Sequence, residues 1–306
     1  MTEAILIAIL MTVVGAATPI LLAALGELVV EKAGVLNLGV EGMMLMGAVA
    51  GFAAMSVTGA TLAAWMAAMA AGTLAALLFG LLTLTLAANQ VATGLALTIF
   101  GIGLSALLGE GFVGRTVEVQ GSVFPPEMAE DPLLRLLFGH HMLVYVSLAA
   151  VLAVWLFLTR TRAGLVLRAV GESDASAHSI GYPVITIRYA AVAFGGAMAG
   201  LAGSYYSTVL TPMWAEELTA GRGWIALALV VFAAWRPGRL LLGAYLFGAV
   251  MTLELHAKAA GIAVAPELLA AMPYLATIAV LALISLRRGP GAQAPACLGK
   301  PFKPAQ

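Results

Sequence analysis

The sequence predicts an all-α fold, a polytopic transmembrane helical bundle of about eight to ten spans with interrupted helices. Three observations predict it. Hydrophobic residues make up 62% of the 306-residue chain and charged residues only 10%, whereas a soluble domain carries roughly 25% charged residues. So little charge cannot coat a water-facing surface. Apolar runs of about 20 residues recur, each long enough to cross a bilayer as a helix. Residues 64–82 do not alternate in polarity, as the strands of a membrane barrel do. Lipid offers no partner to an unpaired backbone group, so the spans are helices.

The same composition narrows the function. Formal net charge is zero, so the overall balance says nothing about partners, and no nucleic-acid partner is expected. Cys297 is the single cysteine, which precludes a disulfide within the chain and suggests no thiolate metal site. No cofactor is expected. The chain lacks the GxxxxGK[ST] run that cradles nucleotide phosphates, so it is not expected to hydrolyse ATP itself. Met-Thr-Glu at the start lacks the basic region of a secretory signal, and the first apolar run reads as a retained span.

In chain order, the first span covers residues 4–25, with Pro19 as an expected kink. Residues 26–37, GELVVEKAGVLN, are too charged for a simple span and too apolar for a loop. Spans two, three and four are read at 38–58, 60–88 and 91–108, with a tight Asn89-Gln90 turn before the fourth. Residues 110–141 hold Pro125-Pro126 and Asp131-Pro132, which predicts an irregular connection with one short surface helix. Span five is read at 142–158, span six at 189–209 and a second connection at 211–223. Span seven, 224–235, is too short to cross unaided. Arg236-Pro237-Gly238-Arg239 reads as a basic turn before span eight at 240–255, and span nine is read at 268–286.

Between spans five and six lies a polar island, residues 159–189. It carries Arg160, Arg162, Arg168, Glu172, Asp174 and Arg188, six of the chain's thirty charged residues. Residues 165–169 and 174–180 read as two short helices parted by Gly171. Glu172-Ser173-Asp174 suits the start of the second, where acid and hydroxyl cap free N–H groups, and Gly181-Tyr182-Pro183 stops it. Two readings stand: a rigid lever that moves both neighbouring spans, or a solvated basic loop that sets topology. With the island inside, eleven of the fifteen Lys and Arg fall on the inner side, as the positive-inside rule asks. The side of the N-terminus stays open.

Four runs carry a family resemblance. RAVGESDASAHSIGYPVITIRYAAVAFGGAMAGLAG resembles the coupling segment and following helix of permease subunits in ATP-binding-cassette importers for branched-chain amino acids, ribose-type sugars and nucleosides. Gly171, Glu172, Ala175, Ala177 and Gly181 match that family's run. His178 stands where a small residue is usual, and Tyr182 replaces an aliphatic one. GELVVEKAGVLNLGVEGMMLMGAVAGF is similar to the nucleoside and simple-sugar branch. So is NQVATGLALTIFGIGLSALLG, and GRGWIALALVVFAAWRPGRLLLGAYLFG shares the Gly-x-Gly and Pro-x-Gly pattern.

The resemblance implies a permease subunit with a cytoplasmic coupling helix, driven by separate cytoplasmic ATPase subunits. It implies a second permease chain, a periplasmic or lipid-anchored binding protein, and residence in the bacterial inner membrane. Residues 1–288 would form one permease domain, with 159–189 as its coupling region and 289–306 as a disordered cytoplasmic tail. Contacts to the ATPase would come from Arg168, Gly171, Glu172, Asp174, Ala175, Ala177, His178 and Gly181. Helix interruptions are expected at Gly34, Gly39 and Gly42 and at Gly221 and Gly223, and paired interruptions point to a midplane route. Asn37, Glu41, Gln90 and Thr93 are the candidates to line it. Their alternatives stay open: Asn37 as a helix cap, Asn89 and Thr93 at the start of span four, and Glu27, Glu31 and Lys32 at the inner interface. Trp214, Glu216, Glu217 and Arg222 read as a docking surface or as interfacial residues. Glu254, His256 and Lys258 read as an interface cluster, with His256 as a ligand or proton relay the alternative. An ion-coupled secondary transporter is the rival function, with Glu41 as its coupling acid. A membrane enzyme built on His140-His141 is disfavoured, because adjacent helical residues do not share a face.

Overall fold

The structure, a computed structural model, describes residues 2–119, 121–259, 271, 275, 278–279, 282 and 294–303. It is built of helices, with two isolated bridges and no longer strand among the described residues. Among the described residues, six helical segments are long and apolar enough to cross a membrane: Leu6–Lys32, Val40–Thr58, Thr61–Thr85, Gln90–Phe112, Met142–Arg160 and Val184–Leu210. Most of span nine, Arg287, Arg288 and the side chains of Glu254, His256 and Lys258 lie outside what is described.

Helix α1, Thr2–Lys32, is a single element of 31 residues, about 46 Å long at 1.5 Å per residue. The first span was expected to end near residue 25. Instead the helix runs on through Glu27 and Glu31, because both carboxylates find partners inside the fold. Helix α2, Val40–Thr58, follows a non-helical stretch over residues 33–39. Helix α3, Thr61–Gly80, ends in a π-helical turn, Leu81–Thr85. Helix α4, Gln90–Gly109, starts at Asn89, whose Oδ1 accepts from the Ala92 N–H at 2.9 Å. The long connection carries the expected short helix as α5, Pro132–Phe138, capped by Asp131. Helix α6, Met142–Arg160, begins at His141, whose Nδ1 accepts from the Leu143 N–H at 3.2 Å. Burial lowers the proton affinity of both His140 and His141, which suits the neutral imidazole that the cap requires.

Two short helices follow, α7 (Arg162–Glu172) and α8 (Asp174–Ser179). The division falls at Ser173, not at Gly171. Gly171 is inside α7, and Ser173 is the residue whose extended backbone and hydroxyl start α8, accepting from the Ser176 N–H at 3.3 Å. Helix α9, Val184–Tyr205, ends in a second π-helical turn, Tyr206–Leu210. The half-length helix α10 is Arg222–Phe232, and α11 is Pro237–Ala259. The expected turn at 236–239 is displaced. Ala234 and Trp235 take positive φ and make the turn, while Pro237 opens α11, where its missing N–H costs nothing.

Helix α9 packs against α1, α2 and α3. Glycine lets it do so. A Cβ on Gly200 would strike the Ala68 carbonyl of α3, and one on Gly47 of α2 would strike Gly200. Small residues at such crossings let backbones meet when the helices have only packing to hold them. A Gly200→Val variant is expected to lose about 1–3 kcal/mol through overpacking, read as a lowered melting temperature of the purified protein. An unchanged melt would show that the three helices are not held by that contact.

The bundle has two distinct ends. At one, Lys32 lies within electrostatic reach of Arg168, Glu172 and Arg236. At the other, Val113 and Thr116 bridge to Trp214 and Met213, and Ile7, Ala8 and Met11 of α1 face Glu130, Pro132 and Arg135. The N-terminus therefore lies at the end opposite the island.

Residues 294–303, within the stretch expected as a disordered tail, lie against the bundle. The Cys297 N–H donates to the Gly171 carbonyl at 3.0 Å, and the Gly299 N–H to that of Gly34 at 3.3 Å. Phe302 packs against Val170, Ala177 and Val184. Proline and glycine spacing makes this stretch look unstructured, but free carbonyls at Gly34 and Gly171 give it a surface to bind.

Candidate functional site

A helix that stops inside a membrane protein leaves N–H and C=O groups without partners, and each must be satisfied within the fold. Residues 33–39 do this almost group by group. The Leu36 N–H donates to Gln90 Oε1 at 2.8 Å, and the Asn37 N–H to Glu27 Oε1 at 3.2 Å. The Gly39 N–H donates to Asn37 Oδ1 at 2.9 Å. On the acceptor side, the Ala33 carbonyl takes a hydrogen bond from Arg188 Nε at 3.1 Å, and that of Leu38 from the Thr98 hydroxyl at 3.0 Å. Gly34 holds φ at 84°, a left-handed turn that a side chain resists. Gly39 caps α2, whereas Gly42 lies within α2 rather than in the break. A Cβ at Gly42 would stand 2.6 Å from the Leu97 carbonyl oxygen, so Gly42 serves the close approach of α4.

The second break precedes α10. Gly221 takes φ of 80° as its N-cap residue but offers no side chain to the free N–H groups. Glu41, in the first turn of α2, supplies the acceptor. Its Oε1 accepts from the Thr219 hydroxyl at 2.5 Å and the Gly221 N–H at 2.8 Å, and its Oε2 from the Gly223 N–H at 2.5 Å. A carboxylate at a helix N-terminus also meets the positive end of the dipole. The two interruptions therefore touch, joined by one side chain that is 4% exposed. Gly223 is the glycine of contact: a Cβ there would lie 2.6 Å from the Glu41 backbone. Arg222 Nη1 donates to the Leu218 carbonyl at 3.2 Å, and its guanidinium lies 4.8 Å from the Tyr206 ring centre.

Of the four residues expected along the route, Asn37, Glu41 and Gln90 are buried and engaged by the breaks. Thr93 stands apart, half-buried on α4. Both oxygens of Glu41 being occupied, it is a helix cap in this arrangement rather than an open ion-coupling acid. Trp214 is buried against Ala48, Val49 and Phe52, so it is not a docking aromatic, whereas Glu216 and Glu217 are exposed. Among the described residues no three His, Cys, Asp or Glu side chains gather as a metal site would need.

Helix α8 is tied to the first break. Arg188, expected among the solvated charges of the island, is instead 1% exposed within α9. Its Nη2 pairs with Asp174 Oδ2 at 3.0 Å while its Nε holds the Ala33 carbonyl. Gly181 ends the small helix with φ of 93°, and the Tyr182 N–H closes back on the Ala177 carbonyl at 3.1 Å. Ala177 faces inward, while Ala175, His178 and Ile180 face out. Gly171 is packed so that a Cβ would strike the Lys32 carbonyl. Arg168 and Glu172 are exposed on α7.

Sequence reasoning missed two ties. Trp235 Nε1 donates to Glu31 Oε2 at 2.6 Å, joining α1 to the turn before α11, and Glu27 supports Asn37. The available signal was the cost of placing two carboxyls one turn apart in an apolar run; that cost demands buried partners.

Comparison with known proteins agrees with this architecture. Residues 9–281 match the family described as branched-chain amino acid transport system / permease component. The chain is 40% identical over 297 residues to the "Putative glucose ABC transporter permease protein" of Haloferax volcanii, with 90% of each chain covered. It is 31% identical over 252 residues to a guanosine ABC transporter permease protein of Bacillus subtilis, covering 78% of this chain and 79% of that one. A nucleoside ABC transporter permease protein of Lactococcus lactis is 29% identical over 280 residues, with 87% and 88% covered. With most of its length matched by the family and its relatives, the chain belongs to the branched-chain amino acid transport system permease components.

Proposed function

We propose that the chain is the permease subunit of an ATP-binding-cassette importer for a nucleoside or simple sugar in a bacterial inner membrane. The observation that carries this reading is a continuous set of ties. Exposed α8 is held by Asp174 and Arg188 to Ala33, at the first break, and α2 beyond that break is held by Glu41 to the second. A push on α8 would reach both interrupted segments through hydrogen-bonded groups rather than through loose loops.

In this reading a separate cytoplasmic ATPase grips α8 over Ala175, His178 and Ile180, with Arg168 and Glu172 beside it. Ile180 is 72% exposed, an apolar residue that a partner would cover. The island and C-terminus are cytoplasmic, and the N-terminus is extracytoplasmic. A second permease chain completes the route, and a binding protein delivers solute to the end bearing Glu216 and Glu217. Asn37, Glu41 and Gln90 hold the breaks open to the shape the route needs, and Thr93 faces it. Sugar and guanosine carriers among the relatives support a small, hydroxyl-rich solute.

The test is co-expression with candidate ATPase and second-permease chains from the same source, followed by uptake of labelled guanosine and glucose. The expected result is a stable complex, lost in an Ile180→Asp variant, and uptake that requires ATP. A chain that transports in vesicles without any ATPase, driven by an ion gradient, would overturn the proposal.

A further inference from the structure

Four cations converge at the island end of the bundle. Lys32 ends α1, Arg168 lies on α7, and Arg236 and Arg239 flank the start of α11. Together with Trp155, Leu158, Thr159 and residues 234–238 they line a cavity of about 610 Å³. No acid lines it. Glu172 lines the neighbouring cleft beside Pro295, a cleft that Lys32 and Arg168 also line, so it offsets part of their charge but none of the cavity wall at Arg236 and Arg239. Glu31, the other acid near this end, has its Oε2 taken by Trp235. The one ion pair among the described residues is Arg188–Asp174, and none of the four side chains makes a hydrogen bond to a described residue.

Gathering like charges is unfavourable, increasingly so beside an apolar wall of low dielectric. A cavity lined by four of them, with no acid among its described lining residues, favours an anion inside. Its place in the fold selects the anion. The cavity sits where α1 and α6 end, so it lies at head-group depth rather than in hydrocarbon or open water. Trp155, on α6, is 40% exposed, as aromatic residues at a membrane interface are. Trp155 and Leu158 offer an apolar wall leading from the cations up the span. We propose that this cavity binds the phosphate head group of an anionic phospholipid, with its acyl chains along Trp155 and Leu158. Basic pockets between membrane helices are suited to that chemistry. The site requires the chain to span a membrane but not that an ATPase drives it.

The test uses the full-length chain, delipidated in detergent and titrated with dioleoyl-phosphatidylglycerol or dioleoyl-phosphatidylcholine, with bound lipid read by native mass spectrometry. The expected result is one phosphatidylglycerol held well above phosphatidylcholine. Lys32→Gln, Arg236→Gln and Arg239→Gln combined should weaken it on the order of 100-fold, about fivefold per cation. Should the triple variant not fold, Arg239→Gln alone is read, with about a fivefold loss expected. Equal binding of the two lipids, or retention unchanged in the variants, overturns the proposal. Displacement by millimolar inorganic phosphate alone overturns it in favour of a free-anion site. Loss of ATPase co-purification with lipid retention intact overturns it in favour of a protein contact.

Discussion

Glu41→Ala is expected to abolish transport and to leave a measurably less stable protein. The carboxylate accepts from the Thr219 hydroxyl and from the Gly221 and Gly223 N–H groups. Glycine at the N-cap of α10 offers nothing in its place. Each buried donor left without a partner costs ~1–3 kcal/mol, so three of them cost on the order of 3 kcal/mol at least. Water cannot readily make good the loss, because the site is buried between α2 and α10. Glu41→Gln separates shape from acceptor count. It keeps one oxygen for two donors but turns an amide N–H toward the third, so an intermediate loss is expected. Melting of the purified variants and solute uptake at matched abundance are the two measurements. Wild-type uptake by Glu41→Ala would show that transport does not need the two breaks joined.

The legible and illegible parts of this chain divide along a physical line. Span positions were readable because hydrophobic length is a local property: the segments over α2, α4 and α6 were anticipated to within two residues. Breaks at Gly34 and Gly221 were readable because left-handed backbone favours glycine. What was not readable was pairing at a distance. Glu41 was visible as a costly acid, but no pattern near residue 41 names residues 219–223 as its partners. Arg188 looked like one more basic residue of a polar loop. Only the packing of α9 against α1 carries it to the Ala33 carbonyl, 155 positions away. The contacts of residues 294–303 were hidden for the opposite reason. Their composition is that of a linker, and their partners are carbonyls that the first break and α7 leave free.

Arg188→Met is expected to uncouple α8 from the first break while the bundle itself still forms. Methionine keeps much of the apolar stem and removes all three interactions of the guanidinium: the Ala33 carbonyl, Asp174, and the Phe302 ring 5.9 Å away. Breaking a fully buried ion pair costs about 3–5 kcal/mol, but Asp174 is 17% exposed and can recover water. A loss of about 1–3 kcal/mol is therefore the better expectation. The functional loss should be larger than the stability loss. With Arg188 in place, α8 and the end of α1 share one rigid group; without it, α8 keeps its short connection and the packing of Ala177 with Val170, Val184 and Phe302, but loses its polar tie to the end of α1. In an assembled transporter this predicts ATP hydrolysis that persists while uptake falls. Asp174→Asn keeps Arg188 on Ala33 and should uncouple less, and a double-mutant cycle between the two positions should show strong non-additivity. Additive effects, or uptake and hydrolysis falling in step, would place the tie between lever and hinge elsewhere, because a group that merely stabilises the fold has no means of lowering one and sparing the other.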